Sequence, residues 1–211
     1  MKQLNRLLTN QDREELKPTI DQMFELCPGM MSRKISEANV QQAFTLSTAL
    51  NVISNRKVSI LSAGSFEDTA TESLKKLGYS VTDVDPAVNY DLHTFSLKTF
   101  DEFDVIISTS VLEHVANDEE FIKDCCNLLS KDGYAIFTMD FKEGYKEGDP
   151  LPATDVRFYT NHDLNNRLRN VLEENGCNLV GDYTNWTGEP DFHYQGHDYS
   201  FATFVFKKGQ D

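Results

Sequence analysis

Three places in the 211-residue chain have residue types and spacing suited to chemistry. The first is Ser62-Ala63-Gly64-Ser65-Phe66-Glu67-Asp68, a turn with one glycine and two acids that follows an apolar run. A pyrophosphate-binding turn needs several glycines, so that the backbone can approach the phosphates, and a helix N-terminus free of competing charge. Here Phe66 stands where a second glycine would, and Glu67 and Asp68 put negative charge where phosphate would lie. Acids at a helix start also complement its dipole. Either way the turn suits a phosphate-free, positively charged ligand better than a dinucleotide. The second place is Asp85, about twenty residues beyond Gly64, where an acid can accept hydrogen bonds from both hydroxyls of a ribose. No Lys or Arg follows it at once, so a 2′-phosphate is not expected. The third is Glu113-His114. Histidine is the natural base near neutral pH, which makes His114 the candidate base and Glu113 its partner. Alternatively, the two fix their loop by hydrogen bonds.

A second tier concerns a substrate. Tyr159 and Trp186 are the aromatic residues assigned to the wall of an acceptor pocket, and His193 to a loop that touches the acceptor. His193 and His197 flank Gln195-Gly196, with Asp191 and Asp198 nearby. The group lacks the spacing of a helical metal-binding pair, and no metal site is expected there. Cys27, Cys125, Cys126 and Cys177 contain no C-x-x-C pair, so neither a zinc site nor a disulfide framework is expected.

The elements that must position these groups alternate in type. Residues 12–26 and 36–53 have helical periodicity, broken at Pro28-Gly29 and ended at Asn55-Arg56. From there, strands are expected at 58–61, 79–84, 103–108 and 134–139, the last entered through the turn Asp132-Gly133. Helices are expected at 69–77, stopped by Gly78, at 118–129, and at 161–175 behind Thr160 or Asn161. Residues 178–208 read as strands, with 199–206 the clearest. This alternation predicts an α/β, Rossmann-like doubly wound sheet, mostly parallel with an antiparallel C-terminal edge. Residues 1–55 are expected to form an N-terminal helical cap within the same domain as residues 56–211. The Gly- and Pro-containing stretch 141–154 is expected to act as a lid beside it. In such sheets ligands bind beyond the carboxyl ends of the strands. That is where Gly64, Asp85 and Ser108 to His114 fall.

Composition narrows the partners. The formal net charge of −14 disfavours nucleic acid and anionic membrane surfaces. No run approaches the roughly 20 apolar residues of a membrane span, nor is there a signal-peptide pattern. Together with the cysteine usage this predicts a cytoplasmic protein. Oligomeric state is not legible.

The segments Val58 to Ser65, Val81 to Asp85, Phe103 to Val115 and Leu128 to Phe137 resemble the class I S-adenosylmethionine-dependent methyltransferases. Val156 to Leu164 is similar to a subset acting on sugars and other small metabolites. The resemblance implies that Ala63, Gly64 and Ser65 pass the methionine part of S-adenosylmethionine, with Ser62 also among the cofactor-binding residues. It places Asp85 on the ribose, Asp91 at the adenine amino group, and Ser108 and Ser110 beneath the methyl group. It implies methyl transfer to a small-molecule acceptor such as a metabolite hydroxyl or amine. Two positions depart from the family. Ser62 stands where an acid usually opens the first motif, and Phe66 where a glycine does. The alternative is a non-catalytic binding protein that retains the methyltransferase fold. An NAD-dependent oxidoreductase is disfavoured by the missing glycines and by the lack of a Tyr-x-x-x-Lys pair.

Overall fold

The computed structural model of the chain describes residues 3–53, 57–181 and 184–209. Each expected N-terminal helix is divided, and proline explains the first division. Helix α1 (Asn10–Glu15) is capped by Thr9, whose side chain accepts from the Asp12 backbone while Asp12 reaches back to the backbone of Thr9. Helix α2 (Lys17–Leu26) has Pro18 in its first turn, where the missing N–H costs nothing. Pro28 acts in the same way. The expected break is there, with α2 ending at Leu26 and Cys27 non-helical, and Pro28 then opens a further short helix, α3 (Pro28–Met31). Helix α4 (Asn39–Val52) follows a 3-10 turn at Ser36–Ala38. The expected stop at Asn55-Arg56, and with it the boundary between residues 55 and 56, lies outside the described residues.

The strands are β1 (Leu7–Leu8), β2 (Ile60–Ala63), β3 (Val81–Val84), β4 (Phe103–Thr109), β5 (Leu129–Phe141), β6 (Cys177–Leu179), β7 (Phe192–Tyr194) and β8 (His197–Lys208). They lie in the order β1-β8-β5-β4-β2-β3, with β6 and β7 also pairing with β8. Strands β3, β2, β4 and β5 are parallel. Strand β8 runs antiparallel to β5, β1, β6 and β7. The fold is the expected α/β sheet with an antiparallel C-terminal edge. Strand β1 was not expected, because two leucines are too short a run to show a period.

Helices α5 (Thr69–Lys76), α6 (Leu92–Ser96), α7 (Asp118–Leu128) and α8 (Arg169–Glu174) complete the layers. The last is preceded by a π-helical stretch at Asp163–Leu168 where a plain α-helix was expected. Side chains alternate across the strands. Leu61, Ile106, Ala135 and Phe204 pack with Phe121, Ile122 and Leu168 on one face. Ile60, Val105, Ile136 and Val205 pack with Met23, Phe44 and Leu74 on the other. Helix α4 thus lies directly on β4 and β5.

The Asp132-Gly133 turn is a bulge within β5, not its start. Leu129 already pairs with Phe103, and the register shifts before Val105 pairs with Tyr134. Asp132 takes φ 64°, and a Cβ at Gly133 would lie 2.9 Å from the Ser130 carbonyl oxygen. No helix among the described residues is long and apolar enough to cross a membrane.

Candidate active site

Strands β2, β3 and β4 end at a shared cavity of about 1110 Å³. Of the residues expected to hold a cofactor, Gly64, Asp85, Asp91 and Ser110 line it. Ser62, Ala63, Ser65 and Ser108 do not. The Ser62 hydroxyl lies 2.6 Å from the Thr71 hydroxyl, in the packing between β2 and α5. Ala63 and Ser108 are buried in their strands.

The turn after β2 is built for close approach. Gly64 has φ 91°, and a Cβ there would fall 2.3 Å from Cγ2 of Val111. The residues after it do without further glycine: Glu67 itself adopts φ 53°, and Phe66, 59% exposed, is at the cavity edge. Asp85 reaches across from the end of β3. Its Oδ2 accepts from the Phe66 backbone N–H at 3.2 Å, and its Oδ1 from that of Ala87 at 2.7 Å. A carboxylate has about four acceptor positions, so two remain for a ligand's hydroxyls. Asp91 caps α6, with Oδ1 and Oδ2 taken by the backbone and hydroxyl of Thr94 at 2.8 and 2.7 Å. These bonds hold its carboxyl below the ordinary range.

On the far wall, Ser110 has φ 56° and donates its hydroxyl to Oε1 of Glu113 at 2.7 Å. Glu113 is wholly buried and does not reach the cavity itself. Burial pushes its carboxyl up, and that of buried Asp140 nearby is pushed up by burial and by the charge of Glu113. His114 does line the cavity. Its Nδ1 lies 3.2 Å from Asp155 and 3.1 Å from the Thr154 carbonyl. The bond to Asp155, assisted by Glu113 and against the effect of burial, raises its pKa to about 9. At neutral pH the ring is therefore an imidazolium with no lone pair for an acceptor's proton, a state that opposes the base role expected of it.

This state is testable. The His114 ring is expected to titrate near pH 9 by nuclear magnetic resonance, and to fall toward the ordinary value of about 6.5 in Asp155→Asn. Because the folded pKa is raised, the pair stabilises the fold fully below about pH 6.5, and the contribution disappears as pH rises through 9. A ring titrating near 6.5 in the parent protein would refute the assignment.

The residues expected to touch an acceptor lie elsewhere. Tyr159 is fully buried, its hydroxyl donating to Asp118 at 2.8 Å and lying 3.1 Å from the Leu112 carbonyl oxygen. Trp186 is buried against Phe204 and donates Nε1–H to the Thr203 carbonyl at 2.8 Å. His193 sits on the exposed β7–β8 hairpin, 2.7 Å from Asp198. None of the three lines the cavity, and neither does the 141–154 segment. Lys34 and Gln42, from the N-terminal region, do line it. Their sequence surroundings carry no motif that could have marked them. His93, Glu120 and Asp124 are the one trio among the described residues whose ligand atoms lie close enough for a metal ion. The His93–Asp124 contact of 3.0 Å accounts for them as a tether between α6 and α7.

Comparison with known proteins settles the family. A profile described as a methyltransferase domain matches residues 5–180. The chain belongs to this methyltransferase family. It is a class I, S-adenosylmethionine-dependent methyltransferase. No curated protein sequence matches it. Among solved structures, TehB from Haemophilus influenzae is similar with a TM-score of 0.55 at 18% identity over 77% of this chain, which spans 61% of TehB. Magnesium protoporphyrin IX methyltransferase from Synechocystis PCC 6803, with S-adenosylhomocysteine bound, has a TM-score of 0.55 at 14% identity, covering 91% of this chain and 100% of that one. The 1,6-didemethyltoxoflavin-N1-methyltransferase of Burkholderia thailandensis has a TM-score of 0.56 at 14% identity, covering 97% and 92%. At these identities the likeness concerns the fold.

The residues of this methyltransferase fit its cofactor. Gly64 leaves bare backbone at the cavity edge because Val111 packs where a Cβ would stand, Asp85 has acceptor positions free that suit a ribose, and the surrounding acids suit a cationic sulfonium better than a phosphate.

Proposed function

We propose that this methyltransferase acts on a small-molecule acceptor, a metabolite hydroxyl or amine, bound in the same cavity as the cofactor. The observation that carries the reading is the cavity itself. It joins the Gly64 turn and Asp85 on one side to Ser110 and His114 on the other, and its 1110 Å³ is slightly more than the roughly 300–1,000 Å³ of a site for one small molecule, as room for a cofactor and an acceptor together requires. A neighbour of the same fold is described with both a small heterocyclic substrate and S-adenosylhomocysteine bound. The cofactor, when bound, supplies an electrophilic methyl group on a sulfonium. The protein's part is to align the acceptor with it, and alignment of this kind accounts for much of the rate in such displacements. Ser110 and the His114 imidazolium would present hydrogen-bonding groups to a polar acceptor. Asp85, Asp91 and Gly64 would hold the nucleoside.

The test is calorimetric titration with S-adenosylhomocysteine, with NAD as the control. Binding in the micromolar range is expected for the parent protein, with none for NAD. Asp85→Ala is expected to weaken it by about 10- to 100-fold, the equivalent of one or two charge-assisted hydrogen bonds. Asp85→Asn, which keeps one acceptor oxygen, should lose less. NAD binding in place of S-adenosylhomocysteine would overturn the reading. Binding without methyl transfer to any member of a broad acceptor panel would favour the non-catalytic alternative.

A further inference from the structure

The cavity wall contains one acid whose chemistry the fold does not use up. Most of its carboxylates are occupied. Asp85 is held by two backbone N–H groups and Asp91 by Thr94. Asp124 is held by His93 and Ser96, and Glu67 by Arg33 at 2.8 Å. Asp68 differs. It is 4% exposed, and its Oδ1 accepts from the Thr71 backbone N–H at 2.6 Å to cap α5. Its Oδ2 is buried and has no hydrogen-bond partner. A buried carboxylate oxygen without a donor is costly, and such atoms call for a partner. The same cavity is lined by a cation in the converse condition. Lys34 is half-buried and lines the cavity, yet it makes no ion pair among the described residues. Its neighbour Arg33 is already committed to Glu67.

We propose that Asp68 and Lys34 form the receptor for a zwitterionic α-amino acid end of the cofactor, Asp68 accepting from the ammonium and Lys34 pairing with the carboxylate. This deepens the methyl-transfer reading and rests on it. The arrangement also accounts for Ser62. Its hydroxyl is taken by Thr71, so no charge stands at the opening of the turn, and the buried acid beside it is Asp68, six positions along and bonded to the backbone of the same threonine. The residue contributing the opposite charge comes from the N-terminal region, between α3 and α4. Those helices therefore take part in holding the cofactor as well as covering a face of the sheet.

The test compares two ligands by calorimetry. S-Adenosylhomocysteine carries the amino acid end, and 5′-methylthioadenosine is the same thioether nucleoside without it. Asp68→Asn keeps an oxygen to cap α5 and removes the charge, so the fold is retained. Thermal unfolding of each variant checks this. The parent protein is expected to prefer S-adenosylhomocysteine. Asp68→Asn and Lys34→Met are each expected to lower its affinity by about 10- to 100-fold and to leave 5′-methylthioadenosine unchanged. Equal losses for both ligands, or no loss for either, would overturn the receptor while leaving the cofactor reading intact. A parent protein that binds neither ligand would overturn both.

Discussion

Gly64→Ala is expected to unfold more easily than the parent protein by about 2–5 kcal/mol and to lose most of its affinity for S-adenosylhomocysteine. Two independent terms add. At φ 91° an L-residue adopts a left-handed backbone that costs roughly 1–2 kcal/mol. The new methyl would also stand 2.3 and 2.8 Å from the two γ-carbons of Val111, and overpacking of this kind costs about 1–3 kcal/mol. Val111 follows Ser110, so relief of the clash pushes apart two parts of the cavity wall. Denaturant unfolding and calorimetry measure the two effects separately. The double variant Gly64→Ala with Val111→Ala apportions them. It removes both γ-carbons and should recover the packing term while leaving the backbone term. If truncating Val111 recovers nothing, the clash is not the cause.

Asp118→Ala is expected to cost about 3–5 kcal/mol of stability, the range for removing one partner of a buried ion pair. The Asp118 side chain is 4% exposed and lies 2.7 Å from Arg157 and 2.8 Å from Arg167. It also accepts from the Tyr159 hydroxyl at 2.8 Å. Through these contacts it joins the start of α7 to the 157–159 segment and to the π-helical stretch. Truncation removes the buried partner the two guanidinium groups share, leaving Arg167 with Asp163 and Glu119, and Arg157 with the Val115 and Ala116 carbonyls. The pH dependence has a definite sign. Burial alone would raise the Asp118 carboxyl, but Arg167, Tyr159 and Arg157 together outweigh it and hold it below the ordinary range. A lowered folded pKa gives stability that is present above the unfolded value of about 3.9 and is lost as pH falls through the folded value. The gap in unfolding free energy between the parent and Asp118→Asn should therefore be full at pH 7 and close below about pH 4. A gap that persists unchanged in acid would show that the pair contributes by shape alone.

Tyr159 illustrates where reading a sequence misleads. Its aromatic ring beside a strand end invites a role in a pocket wall, yet it is fully buried, and its hydroxyl positions Asp118 and the turn after β4. Trp186 is a second case, its indole spent on β8. An aromatic side chain is equally at home in a core and in a binding site, and the choice is made by neighbours distant in the chain.

What the sequence determined by itself is the set of local features. Alternating strands and helices specify the doubly wound sheet. The turn chemistry at Gly64 and the acid at Asp85 follow strands closely enough to be placed at its carboxyl edge. Those signals depend on a few consecutive residues, so periodicity and residue type suffice to read them. The tertiary structure decided the rest. It brought Lys34 and Gln42 from the N-terminal region to the cavity. It also made His114 a cation by placing Asp155 3.2 Å away, forty-one positions later in the chain. Charge state, burial and partnership are set by long-range contacts, because a carboxylate or an imidazole has no fixed character until its neighbours and its exposure to water are known.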